Sequence, residues 1–185
     1  MNILITGANG QLGREMRRVA ARSKLSDTWF FTDVEELDVC DETAVGLFVR
    51  SNEVDAIVNC AAYTNVNGAE TDAERCDLLN HRAPGILARA ATGNDCRLVH
   101  ISTDYVFNGK HFLPYKEDDE PCPESVYGST KLEGEKLVLA VHPDAIVIRT
   151  AWLYSPYGNN FVKTMLKLGR ERSAVGVVFD QIGTP

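Results

Sequence analysis

The first thirteen residues, MNILITGANGQLG, constrain the fold more than any other stretch of the chain. Ile3, Leu4 and Ile5 make a short apolar run of the kind a buried strand needs. Gly7, Gly10 and Gly13 follow at three-residue spacing, and residues 11–22 carry a helical pattern. Such a strand-to-helix turn demands glycine: the chain must turn sharply, its backbone must approach a pyrophosphate closely, and the helix must pack tightly on the strand. The helix start offers N–H groups and a positive dipole end to the phosphates. Glycine-rich turns without a ligand exist, yet placed straight after a strand this one predicts dinucleotide binding.

The alternation continues. Apolar runs at 28–32, 56–60, 97–102, 145–149 and 175–179 predict strands, and the patterns at 41–50, 73–91, 126–141 and 160–172 predict helices. Strands separated by helices imply parallel pairing through right-handed crossovers, an α/β doubly wound parallel sheet of Rossmann type. At 185 residues and 44% hydrophobic content, residues 1–185 suffice for one domain with a sizeable core. One long segment, 108–125, holds Pro114, Pro121, Pro123 and five acids and predicts an irregular loop, the kind that is functional or mobile.

A net charge of −7 argues against nucleic acid or an anionic membrane as partner. No run approaches the 18 or more apolar residues of a membrane span, and no signal peptide precedes the first strand. Cys40, Cys60, Cys76, Cys96 and Cys122 include no C-x-x-C pair, so neither a disulfide framework nor a zinc site is suggested. Cys96 and His100 share a face of one strand and, without further ligands, read as core. The expectation is a reduced, cytoplasmic protein.

Three further positions carry chemistry. Asp33 lies twenty residues past Gly13, at the end of the second strand, where a carboxylate can accept hydrogen bonds from an adenosine ribose and repel a 2′-phosphate. Glu35 and Glu36 add negative charge and the next base along the chain is Arg50, so the residues favour NADH over NADPH. Thr103 follows the fourth strand, where ligands of open α/β sheets bind, and its hydroxyl suits a developing oxyanion. Tyr127 and Lys131 stand four apart on a helix and share a face, so a neighbouring ammonium is expected to lower the phenol's pKa for proton transfer. The basic stripe Lys163, Lys167 and Arg170 reads as a solvated helix face.

G-x-x-G-x-x-G, the threonine after strand four and Y-x-x-x-K resemble the extended short-chain dehydrogenase/reductase superfamily. Within it, TGANGQLG, NCAAYTNVNGAE, HISTDYVFNG, VYGSTKLEGE, IRTAWLYSPYGNNFVKTM and DQIGTP are similar to the dTDP-4-dehydrorhamnose reductase family over nearly the whole chain. The resemblance implies NADH- or NADPH-dependent reduction of the C4 ketone of dTDP-4-dehydro-β-L-rhamnose to dTDP-L-rhamnose. It implies that Tyr127 donates the proton, Thr103 faces the carbonyl and Lys131 binds the nicotinamide ribose. Gly7, Gly10, Gln11, Leu12 and Gly13 would hold the pyrophosphate, and Asp38 and Val39 the adenine. Ala62, Tyr63 and Thr64 would border the cofactor, with Tyr63 where the family commonly has His. Thr103, Asp104 and Trp152 would contact the sugar. The family continues past DQIGTP into a smaller substrate domain, largely absent from this chain. It often uses Mg2+, for which Glu15 is the one candidate, although a first-turn acid complementing the helix dipole explains Glu15 more simply. A homodimer is compatible with the resemblance. Two alternatives remain: a nucleotide-sugar dehydratase or epimerase, against which the pair Asp104-Tyr105 lacks a second acid, and a non-catalytic regulatory subunit on the same fold.

Overall fold

The computed structural model describes residues 1–178. Strands β1 (Asn2–Thr6), β2 (Thr28–Phe31), β3 (Ala56–Asn59), β4 (Arg97–Thr103) and β5 (Ile146–Thr150) form one sheet in the order β2-β1-β3-β4-β5, every pair parallel. Helices are α1 (Gln11–Arg22), α2 (Glu42–Ser51), α3 (Val66–Ala69), α4 (Ala73–Asp77), α5 (Ala83–Gly93), α6 (Val126–Val141) and α7 (Phe161–Glu171). The expected doubly wound architecture is present. None of these helices is long and apolar enough to cross a membrane.

The main core lies on one face of the sheet, where Leu4, Ile57 and Leu98 meet Val45 and Val49 of α2, Leu87 of α5 and Val138 of α6. Helix α1 packs on β1 and β2. Along β5, Val147 packs against the core, whereas Ile146 and Ile148 on the alternate face are exposed.

Local chemistry fixes the helix starts. Asp41 accepts from the Ala44 N–H, Ser125 from the Gly128 N–H and Asn160 from the Lys163 N–H, each closing a first turn. The single helix expected over 73–91 is interrupted by a π-helical turn, Leu78–Arg82, in which the Ala83 N–H reaches back to the Leu78 carbonyl. Pro84 explains the interruption: it has no N–H for the Asn80 carbonyl, and its ring would crowd that oxygen in a regular helix. Within that turn the Asn80 side chain donates to the Tyr63 carbonyl at 3.1 Å and accepts from the Tyr63 N–H at 2.9 Å.

The sixth strand expected over 175–179 does not form in its described part, 175–178. An apolar run becomes a strand only by pairing; β5 pairs with β4 alone, and Gly176 lowers the intrinsic preference. Val177 and Val178 are exposed. Phe179 and the DQIGTP motif lie outside the described residues. The segment 108–125 is irregular, as expected, and is pinned by Tyr115 stacked on Phe107 at 4.2 Å and by the Cys122 N–H donating to the Val106 carbonyl.

A buried ion pair ties α6 to the sheet. Glu135, 3% exposed, accepts from Arg149 of β5 at 2.7 Å and from the Ser102 hydroxyl of β4. The Arg149 guanidinium also lies 5.0 Å above the Phe107 ring. Arg149→Met strands a buried carboxylate, so urea unfolding should show a loss of about 3 kcal/mol. Adding Glu135→Leu to that variant should recover a large part of it.

Candidate active site

Gly7, at the end of β1, has φ +62°, and a Cβ there would stand 2.6 Å from the Ala61 nitrogen. The turn after β1 therefore touches the loop after β3, at the point where strand order reverses direction and open α/β sheets form their ligand crevice. A Cβ on Gly13 would stand 2.5 Å from the Ala8 Cα, so this glycine seats the helix against the turn. Gly10 differs: a Cβ there would meet only the Gly7 carbonyl, at 3.2 Å, and the residue is exposed. As N-cap of α1 it brings no side-chain cap, so the first-turn N–H groups of Gln11, Leu12 and Gly13 are offered outward. That cradle fits a pyrophosphate, because bare backbone and a helix N-terminus are what an anion of that size needs.

Asp33 lies against the same turn. Its Oδ2 accepts from the Asn9 N–H at 2.9 Å and its Oδ1 from the Val34 N–H at 2.9 Å. Reading along the chain for the next base passed over α1, which returns two cations to this corner. Arg14 Nε donates to the Asn9 carbonyl at 3.0 Å, and the Arg17 guanidinium lies 4.5 Å above the Phe31 ring. Asp38 is exposed and accepts from the Cys40 N–H, while Val39 is buried in the main core. Ala62, Tyr63 and Thr64 follow β3, with Tyr63 clamped by Asn80 and its ring packed near Tyr127.

The fourth strand delivers Thr103 beside Tyr127. The threonine hydroxyl is near enough to lower the pKa of the phenol, and Thr103 Oγ1 donates to Asp104 Oδ1 at 3.1 Å and accepts from the Tyr105 N–H. Gly128 lets α6 approach this closely, since a Cβ there would collide with the Tyr105 carbonyl. Tyr105 meets the Tyr127 ring edge to face at 5.5 Å. Burial pushes the Tyr127 phenol above its ordinary value; the Thr103 hydroxyl opposes this, and Asp104, Tyr105 and Cys76 add to it. This corrects the expectation of a lowered pKa: desolvation of a 9% exposed phenol dominates, and the Lys131 ammonium is turned to the Ile101 carbonyl. Burial likewise raises Asp104.

Lys131 is 2% exposed, and its Nζ donates to the Ile101 carbonyl at 2.7 Å. Burial lowers its pKa to about 8, against the opposing influence of Glu135 and Cys76. Trp152 lies two residues past Thr150, the register partner of Thr103, and so at the same sheet edge. Its backbone is left-handed, φ +52°, unusual for a bulky residue, and its ring meets Phe161 edge to face at 5.4 Å.

Glu15 pairs with Arg18 at 2.7 Å and shares an open cleft with Lys163, a cationic setting for a metal ligand. Among the described residues no group of three His, Cys, Asp or Glu side chains is placed to hold a metal ion. Lys163 of the basic stripe holds its own loop, donating to the Pro156 and Gly158 carbonyls. Sequence reading missed the buried polar row Thr6, Asn59 and His100 behind Lys131, and the Glu135–Arg149 pair beyond it.

The likeness to known proteins extends over the whole chain. The model of the RmlD substrate binding domain matches residues 1–185. A dTDP-4-dehydrorhamnose reductase of Aggregatibacter actinomycetemcomitans is 43% identical over 183 residues, covering 99% of this chain and 62% of that protein. The crystal structure of a dTDP-4-dehydrorhamnose reductase from Clostridium acetobutylicum superposes with a TM-score of 0.95 at 46% identity, covering all of this chain and 65% of that one. The enzyme from Bacillus anthracis, solved in complex with NADP, gives a TM-score of 0.86 at 38% identity over 92% of this chain and 60% of its own. The chain thus spans about three fifths of the length of the relatives it matches. With its glycine turn, Thr103 and the Tyr127–Lys131 helix set around one sheet edge, the chain belongs to the RmlD substrate binding domain family.

Proposed function

We propose that residues 1–185 form the dinucleotide-binding and proton-donating domain of a dTDP-4-dehydrorhamnose reductase, which reduces the C4 ketone of dTDP-4-dehydro-β-L-rhamnose to dTDP-L-rhamnose. The observation that carries this reading is the placement of the Thr103 hydroxyl beside the Tyr127 phenol at the sheet's ligand edge, with Lys131 one helical turn on. Relatives named for this reaction, at 43% identity over nearly the full chain, support the choice of substrate.

A bound NADH or NADPH supplies the hydride. The chain's own residues do the rest. The first-turn N–H groups of α1 orient the pyrophosphate, and Asp33 accepts from the adenosine ribose. Thr103 donates to the substrate oxygen as it gains negative charge. Tyr127 delivers the proton to that oxygen, and the phenolate left behind accepts from the Thr103 hydroxyl and is neutralised through Lys131. Trp152, held edge-on by Phe161, lies against the sugar. Tyr105 occupies the position where a dehydratase needs a second acid, which favours the reductase. Asp33 favours NADH, although Arg14 and Arg17 leave a positive flank for a 2′-phosphate. No step is assigned to a metal.

In full-length protein, Tyr127→Phe should cut turnover by about 10²- to 10⁴-fold with cofactor affinity nearly unchanged, because only proton delivery is lost. Steady-state kinetics beside cofactor titration reads both; parental turnover in the Phe variant would remove Tyr127 as the acid. Asp33→Ala should weaken NADH by about tenfold or more relative to NADPH, the worth of a charge-assisted hydrogen bond. An unchanged affinity ratio places the ribose elsewhere.

A further inference from the structure

Behind Lys131 runs a row of buried polar side chains that the reaction above does not use. Thr6, Asn59 and His100 are direct register partners across β1, β3 and β4. All three are at most 2% exposed. Thr6 Oγ1 donates to Asn59 Oδ1 at 2.7 Å, Asn59 Nδ2 stands 3.0 Å from His100 Nδ1, and His100 Nε2 stands 3.5 Å from Lys131 Nζ. The row starts one residue before Gly7 and ends on the lysine of the catalytic helix.

The hydrogen positions in this row are determined by logic. The Ala61 backbone N–H donates to Asn59 Oδ1 at 3.1 Å, and a backbone N–H can only donate. That fixes the amide: Oδ1 accepts, and Nδ2 is the donor aimed at His100. His100 is fully buried, and burial and Lys131 hold its pKa well below the ordinary value, so the ring is neutral and carries one proton. Since Nδ1 must accept from Asn59, that proton is on Nε2, the nitrogen facing Lys131.

We propose that Asn59 locks His100 in the Nε2–H tautomer and that His100, as a positioning residue, thereby stabilises Lys131 as a neutral amine. An ammonium has only donors, so Nε2–H and the charged lysine oppose each other. An amine has one lone pair, which can accept Nε2–H while its own N–H keeps the 2.7 Å bond to Ile101. Three other titratable groups bear on Lys131. Glu135 lies one turn along α6 and favours the charged form, but it is occupied by Arg149 and Ser102. Cys76 of α4 also favours the charged form, and Tyr127 lies one turn back. The lowered pKa of Lys131, about 8, is in keeping with the proposal. Resting on the reductase reading, the consequence is a proton store. After Tyr127 has given its proton to the sugar oxygen, Lys131, an ammonium before turnover with its pKa near 8, passes one proton to the phenolate and is left as the amine, which accepts from His100 until solvent returns a proton to it.

The test needs no turnover. In the full chain, ¹⁵N shifts of His100 should show a protonated Nε2 and a bare Nδ1; a proton on Nδ1 overturns the proposal. Asn59→Asp keeps the acceptor for Thr6 and Ala61 but accepts from Nδ1–H, so the tautomer should swap. With the swap, the NMR titration midpoint of Lys131 should rise by about one pH unit or more. A rise without the swap is charge attraction alone and also overturns the proposal, as does a swap that leaves Lys131 unmoved. The same variant, assayed as a reductase in full-length protein, should move the alkaline limb of kcat upward from near pH 8. Loss of the NMR result with reductase activity intact removes this inference only, and absence of reductase activity with the NMR result intact removes only the functional reading.

Discussion

Burying a lysine is the constraint on which much of this structure depends. An ammonium taken out of water needs polar partners at once, or it sheds its charge. Lys131 finds one on the neighbouring strand, in the Ile101 carbonyl, and an opposite charge along its own helix in Glu135, itself neutralised by Arg149, while the His100 ring beside it favours the uncharged form. These contacts fix the rotation and height of α6 on the sheet. Tyr127, one turn back on the same helix, is set by that placement, and the close passage of Gly128 over the Tyr105 carbonyl brings the phenol to Thr103. The position of the Tyr127 phenol follows from how its neighbour's charge is accommodated.

The other half of the site depends on backbone proximity. Gly7 brings the turn after β1 within contact of Ala61 after β3, and both loops lie at the reversal of strand order. Thr6 and Asn59, the last residues of those strands, are joined by a hydrogen bond immediately beneath that contact. A dinucleotide in the crevice would rest on a surface whose underside is the same polar row that ends at Lys131. The glycine turn and the lysine of α6 thus meet one continuous layer of the sheet.

Much of this was legible in the sequence because it is written in local pattern. Val126–Val141 is a helix at the residues its pattern marks, and the glycine spacing gave both the turn and the crevice. What was not legible depends on register. Asn59 and His100 look like isolated polar residues near strand ends, and only parallel pairing sets them side by side. Arg14 sits nineteen positions before Asp33 in the chain and one residue away from it in space, through Asn9. The interrupted helix has a local signal, Pro84, but the clamp that its Asn80 side chain places on Tyr63 is tertiary. Residues 175–178 show the converse: an apolar run is a necessary signal for a strand and an insufficient one, because the pairing edge decides.

The raised pKa of Tyr127 at first sight opposes the donor role proposed for it, since a phenol that holds its proton more tightly is a weaker acid. The direction of the reaction resolves this. In the proposed reduction the donor must remain protonated until hydride transfer has placed charge on the substrate oxygen, and an alkoxide is a far stronger base than a phenolate. Burial keeps Tyr127 protonated through the neutral range, with no fraction lost to early ionisation. The same burial makes the phenolate left behind costly, which drives its reprotonation. A lysine whose pKa lies near 8, one turn away, is the group in this site matched to supply that proton at neutral pH. Desolvation acting on two neighbouring residues raises one pKa and lowers the other, and the gap that opens between them would drive a proton from the ammonium to the phenolate.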